Sequence, residues 1–154
     1  MRVEIADLNG RCRINKRLVE RIVRRTAGRL KKFYPVAIEI AFVSDRAMRR
    51  FNRIYKKHDR FTDVLSFRID AREFGLKNFV GQIIISADRA RANAKSFGNA
   101  IGRELALYIV HGVLHLAGYN DIRPSDRVRM RMAEKKILEH ICTKEDLSKV
   151  LTRR

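Results

Sequence analysis

The feature that most limits how this chain can fold is an apolar segment that leads into two histidines. Residues 105–110 read Leu-Ala-Leu-Tyr-Ile-Val, and His111 and His115 come directly after them. A helix that is apolar on every face is typical of the interior of a domain. The sequence therefore predicts a central buried helix with two imidazoles near its end, and each imidazole needs a polar partner or a ligand there.

The spacing of the two histidines predicts a metal site at the end of this helix. Positions i and i+4 lie on one helix face about 5–6 Å apart, so both rings can reach one ion. Gly118 can end the helix in the left-handed conformation, which lets Asp121 return as a third ligand. Two nitrogens, one oxygen and a position for water are typical of catalytic zinc. The alternative is a pair of helix histidines that hydrogen-bond to backbone or water.

The same spacing occurs in the long zinc motif of metallopeptidases, but one residue of that motif is missing. Gly112 stands where a metallopeptidase carries the glutamate that acts as its base. The sequence therefore disfavours peptidase chemistry.

Length and composition favour one globular domain. The chain has 154 residues, 45% of them hydrophobic, which is enough for a substantial core. We expect a catalytic domain over residues 1–142 and a short, mobile C-terminal tail over residues 143–154. Two distant cysteines, the lack of a membrane-length apolar run and an N-terminus unlike a signal peptide favour a cytoplasmic setting.

The charge of the chain predicts a polyanionic partner. Thirty-five Lys and Arg against seventeen Asp and Glu give a net charge of +18, and release of counterions from phosphates would then contribute much of the affinity. Nucleic acid is favoured over an anionic membrane because no segment combines a clean basic face with exposed aromatic residues. A solvated basic surface without a partner is the remaining alternative.

The order of helical and strand patterns predicts an α+β domain, in which a mixed four-stranded sheet packs with about five helices. Strands are predicted over about 2–8, 36–42, 63–67 and 80–85. Helices are predicted to begin at Asn15, at Ser44, near Asp88, after Asn99 and at Pro124. The last helix is expected to turn Val128, Met132, Ile137, Leu138 and Ile141 inward.

Several blocks of the sequence, taken in order, resemble the YbeY family of bacterial metal-dependent endoribonucleases and ribosome-maturation factors. The window from His111 to Tyr119 resembles the main signature of that family. Three further blocks extend the resemblance over most of the chain: Asn52-x-x-Tyr55 with Thr62-Asp63-Val64-Leu65-Ser66-Phe67, Gly81-x-Ile83-x-Ile85, and Glu104-Leu105 with Met130-x3-Glu134-x2-Ile137-Leu138.

The resemblance implies one zinc ion per chain and cleavage of single-stranded RNA. It also implies maturation of the 3′ end of 16S ribosomal RNA, ribosome quality control, and ribosomal RNA and the small ribosomal subunit as partners.

Three positions depart from the family pattern. The family signature ends in Asp-His, with the histidine as third ligand, whereas this chain has Asn120 and Asp121. A carboxylate adds negative charge, which makes bound water a weaker acid and favours harder metals such as manganese. Lys56 stands where the family carries an arginine proposed to act in catalysis, and lysine lacks bidentate phosphate recognition. Gln82 stands at a position that is commonly acidic.

The remaining candidates have roles around the metal. Lys56 could stabilise charge in the transition state, or it could be a solvated loop lysine. Arg60 and Arg123 could hold the RNA backbone, or could be ordinary surface arginines. Asp63 could orient a ligand imidazole or cap its own turn. Glu104 could order water beside the site, or could form a buried ion pair with an arginine.

Three functions remain open at this point. The leading hypothesis is a zinc-dependent endoribonuclease in which the ion held by His111, His115 and Asp121 activates water and polarises a phosphoryl oxygen. The second is an RNA-binding ribosome-assembly factor with weakened or lost catalysis. The third is a metal-dependent hydrolase that acts on another substrate.

Overall fold

The structure, a computed structural model, describes residues 1–56 and 62–153, with the side chains of Lys56 and Arg153 outside the described part. The strands are β1 (Arg2–Asp7), β2 (Cys12–Ile14), β3 (Ala37–Val43), β4 (Val64–Asp70), β5 (Phe79–Ser86) and β6 (Leu151–Arg153). The α-helices are α1 (Lys16–Ala27), α2 (Asp45–Lys56), α3 (Ala87–Phe97), α4 (Ile101–Leu116) and α5 (Pro124–Cys142).

Four of the strands form one mixed sheet in the order β1-β3-β5-β4. β1, β3 and β5 are parallel, whereas β4 runs antiparallel to β5 along the edge. The short connection from β4 to β5 explains this reversal, because it is a 3-10 turn over Ala71–Phe74 that ends at Gly75 in the left-handed conformation. The predicted α+β fold with a mixed four-stranded sheet and five helices is confirmed.

The apolar segment forms the central helix, as predicted. α4 contacts α1, α3, α5 and strands β4 and β5, and Leu105, Ile109 and Val113 along it are fully buried. Gly112 lies where this helix packs closely against the sheet. A Cβ atom at this position would be 2.7 Å from Cγ2 of Ile83, so a glutamate could not occupy it without displacing the side chain of Ile83.

The helix starts follow from side chains that the sequence supplies. The side chain of Asn15 accepts a hydrogen bond from the amide of Leu18 at 3.1 Å and caps α1. The hydroxyl of Ser44 accepts from the amide of Ala47 at 3.3 Å at the start of α2. Both satisfy amides that have no partner within their own helix, and both starts agree with the prediction.

The inward face of α5 differs from the prediction. Val128 and Met132 are 57% and 68% exposed, whereas Met130 is buried together with Ile137, Leu138 and Ile141. Each residue advances the helix by about 100°, so positions two before and two after Met130 point to the opposite side. The expectation that Val128 and Met132 face the core was wrong.

The residues after 142 belong to the fold, where the sequence predicts a mobile tail. A 3-10 helix over Leu147–Lys149 packs against α4, and Val150 is fully buried. The carbonyl of Val150 accepts from the amide of Asn15 at 2.9 Å, and β6 pairs antiparallel with β2. Strands of three residues are too short to show an alternating pattern, which is why the sequence does not reveal this second sheet.

Among the described residues, no helix is both long enough and apolar enough to cross a membrane.

Candidate metal centre

The two histidines at the end of α4 turn their rings toward each other. Nε2 of His111 and Nε2 of His115 are 3.0 Å apart, and the two rings meet edge to face. Their side chains are 28% and 27% exposed, so the pair lies at the surface of the core with one side open to solvent.

A fixed oxygen holds the other nitrogen of each ring. Nδ1 of His111 lies 2.6 Å from Oε1 of Glu134 on α5. Nδ1 of His115 lies 3.0 Å from the carbonyl oxygen of Tyr119. A carbonyl oxygen can only accept, so Nδ1 of His115 must carry the hydrogen, and an ionised Glu134 requires the same of His111.

These hydrogen bonds decide what the facing nitrogens can do. When both rings are neutral with hydrogen on Nδ1, both Nε2 atoms present lone pairs to each other across 3.0 Å. Two lone pairs at that distance repel unless a cation, either a proton or a metal ion, lies between or beside them. Carboxylate–histidine–metal triads have this arrangement of outer hydrogen bonds, so the residues present fit a divalent ion.

The turn after α4 brings the third residue back to the histidines. The amide of Gly118 donates to His115 O and the amide of Tyr119 donates to Leu114 O, both at 3.0 Å, which is the Schellman arrangement that ends a helix. It requires a left-handed residue, and Gly118 has φ of 96°. The chain therefore reverses within a few residues, and this reversal also supplies the Tyr119 carbonyl that holds His115.

Asp121 completes a group of three candidate ligands. Its Oδ2 lies 3.8 Å from Nε2 of His115, and its side chain is half exposed. The ligand atoms of His111, His115 and Asp121 all lie within 4.8 Å of one another. Ligands of a tetrahedral zinc ion at about 2.0–2.1 Å are about 3.3–3.5 Å apart, so a small movement of the exposed carboxylate would bring all three into range.

A polar network lies beside His111. The side-chain amide of Asn93 donates to the hydroxyl of Tyr108 at 2.6 Å and to Oδ2 of Asp63 at 3.3 Å, and Nε of Arg89 lies 3.8 Å from Oδ1 of Asp63. Burial raises the pKa of Asp63 above its usual value, although the charges of Arg89 and His111 act against that shift. The network thus places a partly desolvated carboxyl group near the histidine pair.

The structure describes two of the other predicted residues, Glu104 and Arg123, in full. Glu104 is buried two helical turns before His111, and within the described residues it accepts from the Asn99 side chain at 3.3 Å instead of pairing with an arginine. Arg123 is exposed directly before α5. Lys56 is the last residue of α2 with its side chain outside the described residues, and Arg60 lies outside them entirely.

Glu134 is the residue that the sequence reading missed. It lies in the Met130-x3-Glu134 block that resembles the family, but the sequence alone did not predict a role for it. Its position in the sequence could have indicated this role. Glu134 shares one face of α5 with three buried apolar residues, Met130, Ile137 and Ile141. An acidic residue on such a face needs a buried partner, and the partner is His111.

The structure is therefore an α+β domain with a candidate metal centre, a His-His-carboxylate cluster at the end of its central helix. A family model described as Endoribonuclease YbeY matches residues 5–142. Endoribonuclease YbeY of Listeria welshimeri is 35% identical over 137 residues, which cover 81% of this chain and 85% of the relative. Endoribonuclease YbeY of Finegoldia magna is 42% identical over 105 residues, or 68% of each chain.

The chain therefore belongs to the endoribonuclease YbeY family, which confirms the resemblance seen in the sequence. A solution structure of a Thermotoga maritima protein has the same fold, with a TM-score of 0.60 over 92% of this chain and 90% of the other at 24% identity. Membership in this family makes RNA the substrate class and hydrolysis the reaction class.

Proposed function

We propose that this chain is a metal-dependent endoribonuclease that cleaves single-stranded RNA, with one zinc ion held by His111, His115 and Asp121. The observation that carries the proposal is the pair of Nε2 atoms at 3.0 Å, each turned inward by a hydrogen bond on the opposite side of its ring. Nitrogen and carboxylate donors suit zinc, and the single carboxylate also leaves room for a harder divalent ion.

The ion and the residues around it would each have a separate role in the reaction. When bound, a divalent ion supplies an electrophile for the phosphodiester and a source of hydroxide near neutral pH. Glu134 and the Tyr119 carbonyl keep both imidazoles oriented, as outer hydrogen bonds do at metal sites. The half-exposed Asp121 is on the open side, where substrate must enter.

The other candidate residues would act around this ion. Lys56 would face the developing negative charge of the transition state, and Arg60 and Arg123 would hold the RNA backbone. Asp63 would act through the Asn93 and Tyr108 network, which supports a positioning role. Glu104, tied to Asn99, would stabilise the first turn of α4 instead of ordering water at the metal.

We further propose that the RNA is the 3′ end of 16S ribosomal RNA, processed on the small ribosomal subunit in the cytoplasm as part of ribosome quality control. Membership in the family supports this, and so does the charge of +18, because a structured ribonucleoprotein presents many phosphates.

Metal analysis of the purified protein tests the ligand set. Asp121→Asn should lower the occupancy below the one ion per chain expected for the wild type, whereas Asp126→Asn, a carboxylate in the first turn of α5, should leave it unchanged. Equal occupancy in both variants would remove Asp121 from the ligand set.

A cleavage assay on single-stranded RNA tests the activity, with His115→Ala as the inactive control. Cleavage by the wild type alone supports the proposal. A protein that binds metal and RNA but cleaves neither ribosomal nor other single-stranded RNA would be an assembly factor, and equal cleavage by wild type and variant would locate the activity elsewhere.

A further inference from the structure

A cleft of about 380 Å³ lies at the C-terminal end of α4, apart from the residues of the metal centre. Its walls come from two regions that are distant in sequence: the α1–β3 connection, and the end of β4 together with the turn that leads into β5. Three cations and two aromatic rings line it, together with one carboxylate and one amide: Lys32, Arg68, Arg72, Tyr34, Phe79, Asp70 and Asn78.

Arg68, one of the lining residues, is held in place by two contacts. Its guanidinium carbon lies 3.7 Å from the centroid of the Phe79 ring, and its Nη1 donates to the carbonyl oxygen of Leu116 at 3.2 Å. A guanidinium has five N–H donors, and this bond uses one. The side chain is therefore ordered in advance, so little rotamer entropy remains to be lost when an anion binds.

The other charges leave the cleft positive. Asp70 pairs with Arg72 through hydrogen bonds of 2.9 and 3.0 Å from Nε, and the hydrogen bonds from Arg72 lower the pKa of Asp70 to about 2. One carboxylate therefore offsets one of the three cations. Lys32 and Arg68 provide the net positive charge, which suits a phosphate.

Tyr34 adds an aromatic surface beside these cations. Tyr34 is 70% exposed, so its ring is accessible to a stacking partner. Lys32, two residues earlier, has φ of 56°. A left-handed lysine costs about 1–2 kcal/mol, and among the described residues its only non-glycine counterpart is Asn78, which lines the same cleft. Unfavourable backbone of this kind concentrates at binding sites.

The cleft lies close to the metal centre along the edge strand. The hydroxyl of Ser66 donates to Gly112 O at 3.2 Å, and Arg68, two residues further along β4, donates to Leu116 O. Two residues of strand span about 7 Å, which is close to the roughly 6 Å of helix between Gly112 and Leu116. Arg68 therefore meets α4 about one turn beyond His111 and one residue after His115.

We propose that this cleft binds one nucleotide of the single-stranded RNA whose neighbouring phosphodiester enters the metal centre. The base stacks on Tyr34, and Lys32 and Arg68 hold its phosphate. Stacking combined with binding of the phosphate is the usual way in which proteins bind single strands without reading their sequence. An acidic peptide would use the cations but not the exposed ring. This assignment rests on the proposed endoribonuclease function.

The test measures binding of the full chain, loaded with metal, to a fluorescently labelled 2′-O-methyl single-stranded oligonucleotide by fluorescence anisotropy. Gel electrophoresis afterwards shows whether the probe stayed intact. Stacking on an aromatic side chain contributes about 1–3 kcal/mol per base, so Tyr34→Ala should weaken binding about 5- to 150-fold. Tyr34→Phe, which keeps the ring, should bind within about twofold of the wild type.

Phe97→Ala is the matched control, because Phe97 is also 70% exposed and lies at the end of α3, outside the cleft. It should bind like the wild type. If Tyr34→Ala also binds like the wild type, the proposal is overturned.

An abasic version of the probe separates stacking from charge. The wild type should bind it more weakly than the complete probe, and Tyr34→Ala should bind it as well as the wild type does, since the abasic probe has no base to stack. Weaker binding of the abasic probe by Tyr34→Ala than by the wild type would contradict stacking. Lys32→Gln should reduce the slope of log affinity against log salt by about 0.7, whereas Tyr34→Ala should leave that slope unchanged.

Cleavage by the wild type distinguishes the two proposals. If the wild type cleaves RNA while the Tyr34 variants bind normally, the nucleotide site fails and the endoribonuclease function stands. If the wild type neither binds nor cleaves RNA, both fail.

Discussion

At the scale of single residues, the candidate site depends on how each imidazole is held. A histidine side chain has two ring nitrogens, and the hydrogen bond that one of them makes decides whether the other presents a lone pair to a metal. The partner of His111 is Glu134 on α5, and the partner of His115 is the carbonyl of Tyr119 in the turn that follows α4. The carboxylate is the partner that mutation can remove.

Replacing Glu134 tests this dependence. Glu134→Gln should weaken metal affinity about 10- to 100-fold, because loss of an outer hydrogen-bond partner has that effect at metal sites. Isothermal titration of the metal-free protein with Zn²⁺ measures the change. The control is Glu139→Gln, an exposed glutamate on the same helix, which should leave affinity unchanged. Equal affinities for all three proteins would show that Glu134 does not support the ligand.

At the scale of elements, α2 carries four arginines on one helix face. Arg46, Arg49, Arg50 and Arg53 line one open surface region at intervals of three, one and three residues. Like charges at positions i and i+4 destabilise a helix by about 0.2–0.5 kcal/mol per pair. A helix that keeps such a face is suited to a polyanion.

Charge removal from this face tests for localised RNA binding. The double variant Arg46→Gln with Arg50→Gln should bind single-stranded RNA more weakly and lower the salt slope by about 0.7 for each phosphate that the protein no longer neutralises. The charge-matched control is Lys16→Gln with Arg17→Gln at the exposed start of α1, which should change the slope less. Identical slopes for the two double variants would mean that attraction is spread over the whole surface.

At the scale of the whole molecule, the segment after α5 closes the fold onto its first helix. Glu145 is 6% exposed and accepts hydrogen bonds from Nε of Arg21 at 2.9 Å and Nε of Arg25 at 2.8 Å. Burial acts to raise the pKa of this carboxyl group, but the hydrogen bonds from Arg25 and Arg21 outweigh it and lower the pKa.

The lowered pKa of Glu145 makes the stability of the protein depend on pH. A carboxyl group whose pKa is lowered by folding stabilises the protein above its unfolded pKa, and this contribution is lost as pH falls through the folded pKa. Glu145→Gln should therefore lower the free energy of unfolding by about 1 kcal/mol near neutral pH. The difference from wild type should shrink below about pH 4.3.

Denaturant unfolding at several pH values measures both effects. Glu20→Gln is the control, because Glu20 pairs with Arg24 at the surface with 41% of its side chain exposed and should cost only about 0.3–0.5 kcal/mol. A Glu145→Gln difference of the same size at neutral and at acid pH would rule out the ionised carboxylate as the source.

Much of this protein follows from local patterns that need no tertiary information. The all-apolar run before His111 predicts a buried central helix, the i, i+4 spacing predicts which rings meet, and Gly118 predicts where the helix ends. The charge of +18 predicts a polyanionic partner. These features follow from helix geometry, backbone sterics and composition, which act over a few residues or over the chain as a whole.

Tertiary structure decided what depends on packing between distant segments. Glu134 meets His111 across 23 positions, β6 pairs with β2 across the length of the chain, and Arg68 reaches the end of α4 across 48 positions. Val128 and Met132 face solvent because packing selects one face of α5. A sequence shows which polar residues need a hydrogen-bond or ion-pair partner, but only packing in three dimensions decides which partner lies within reach.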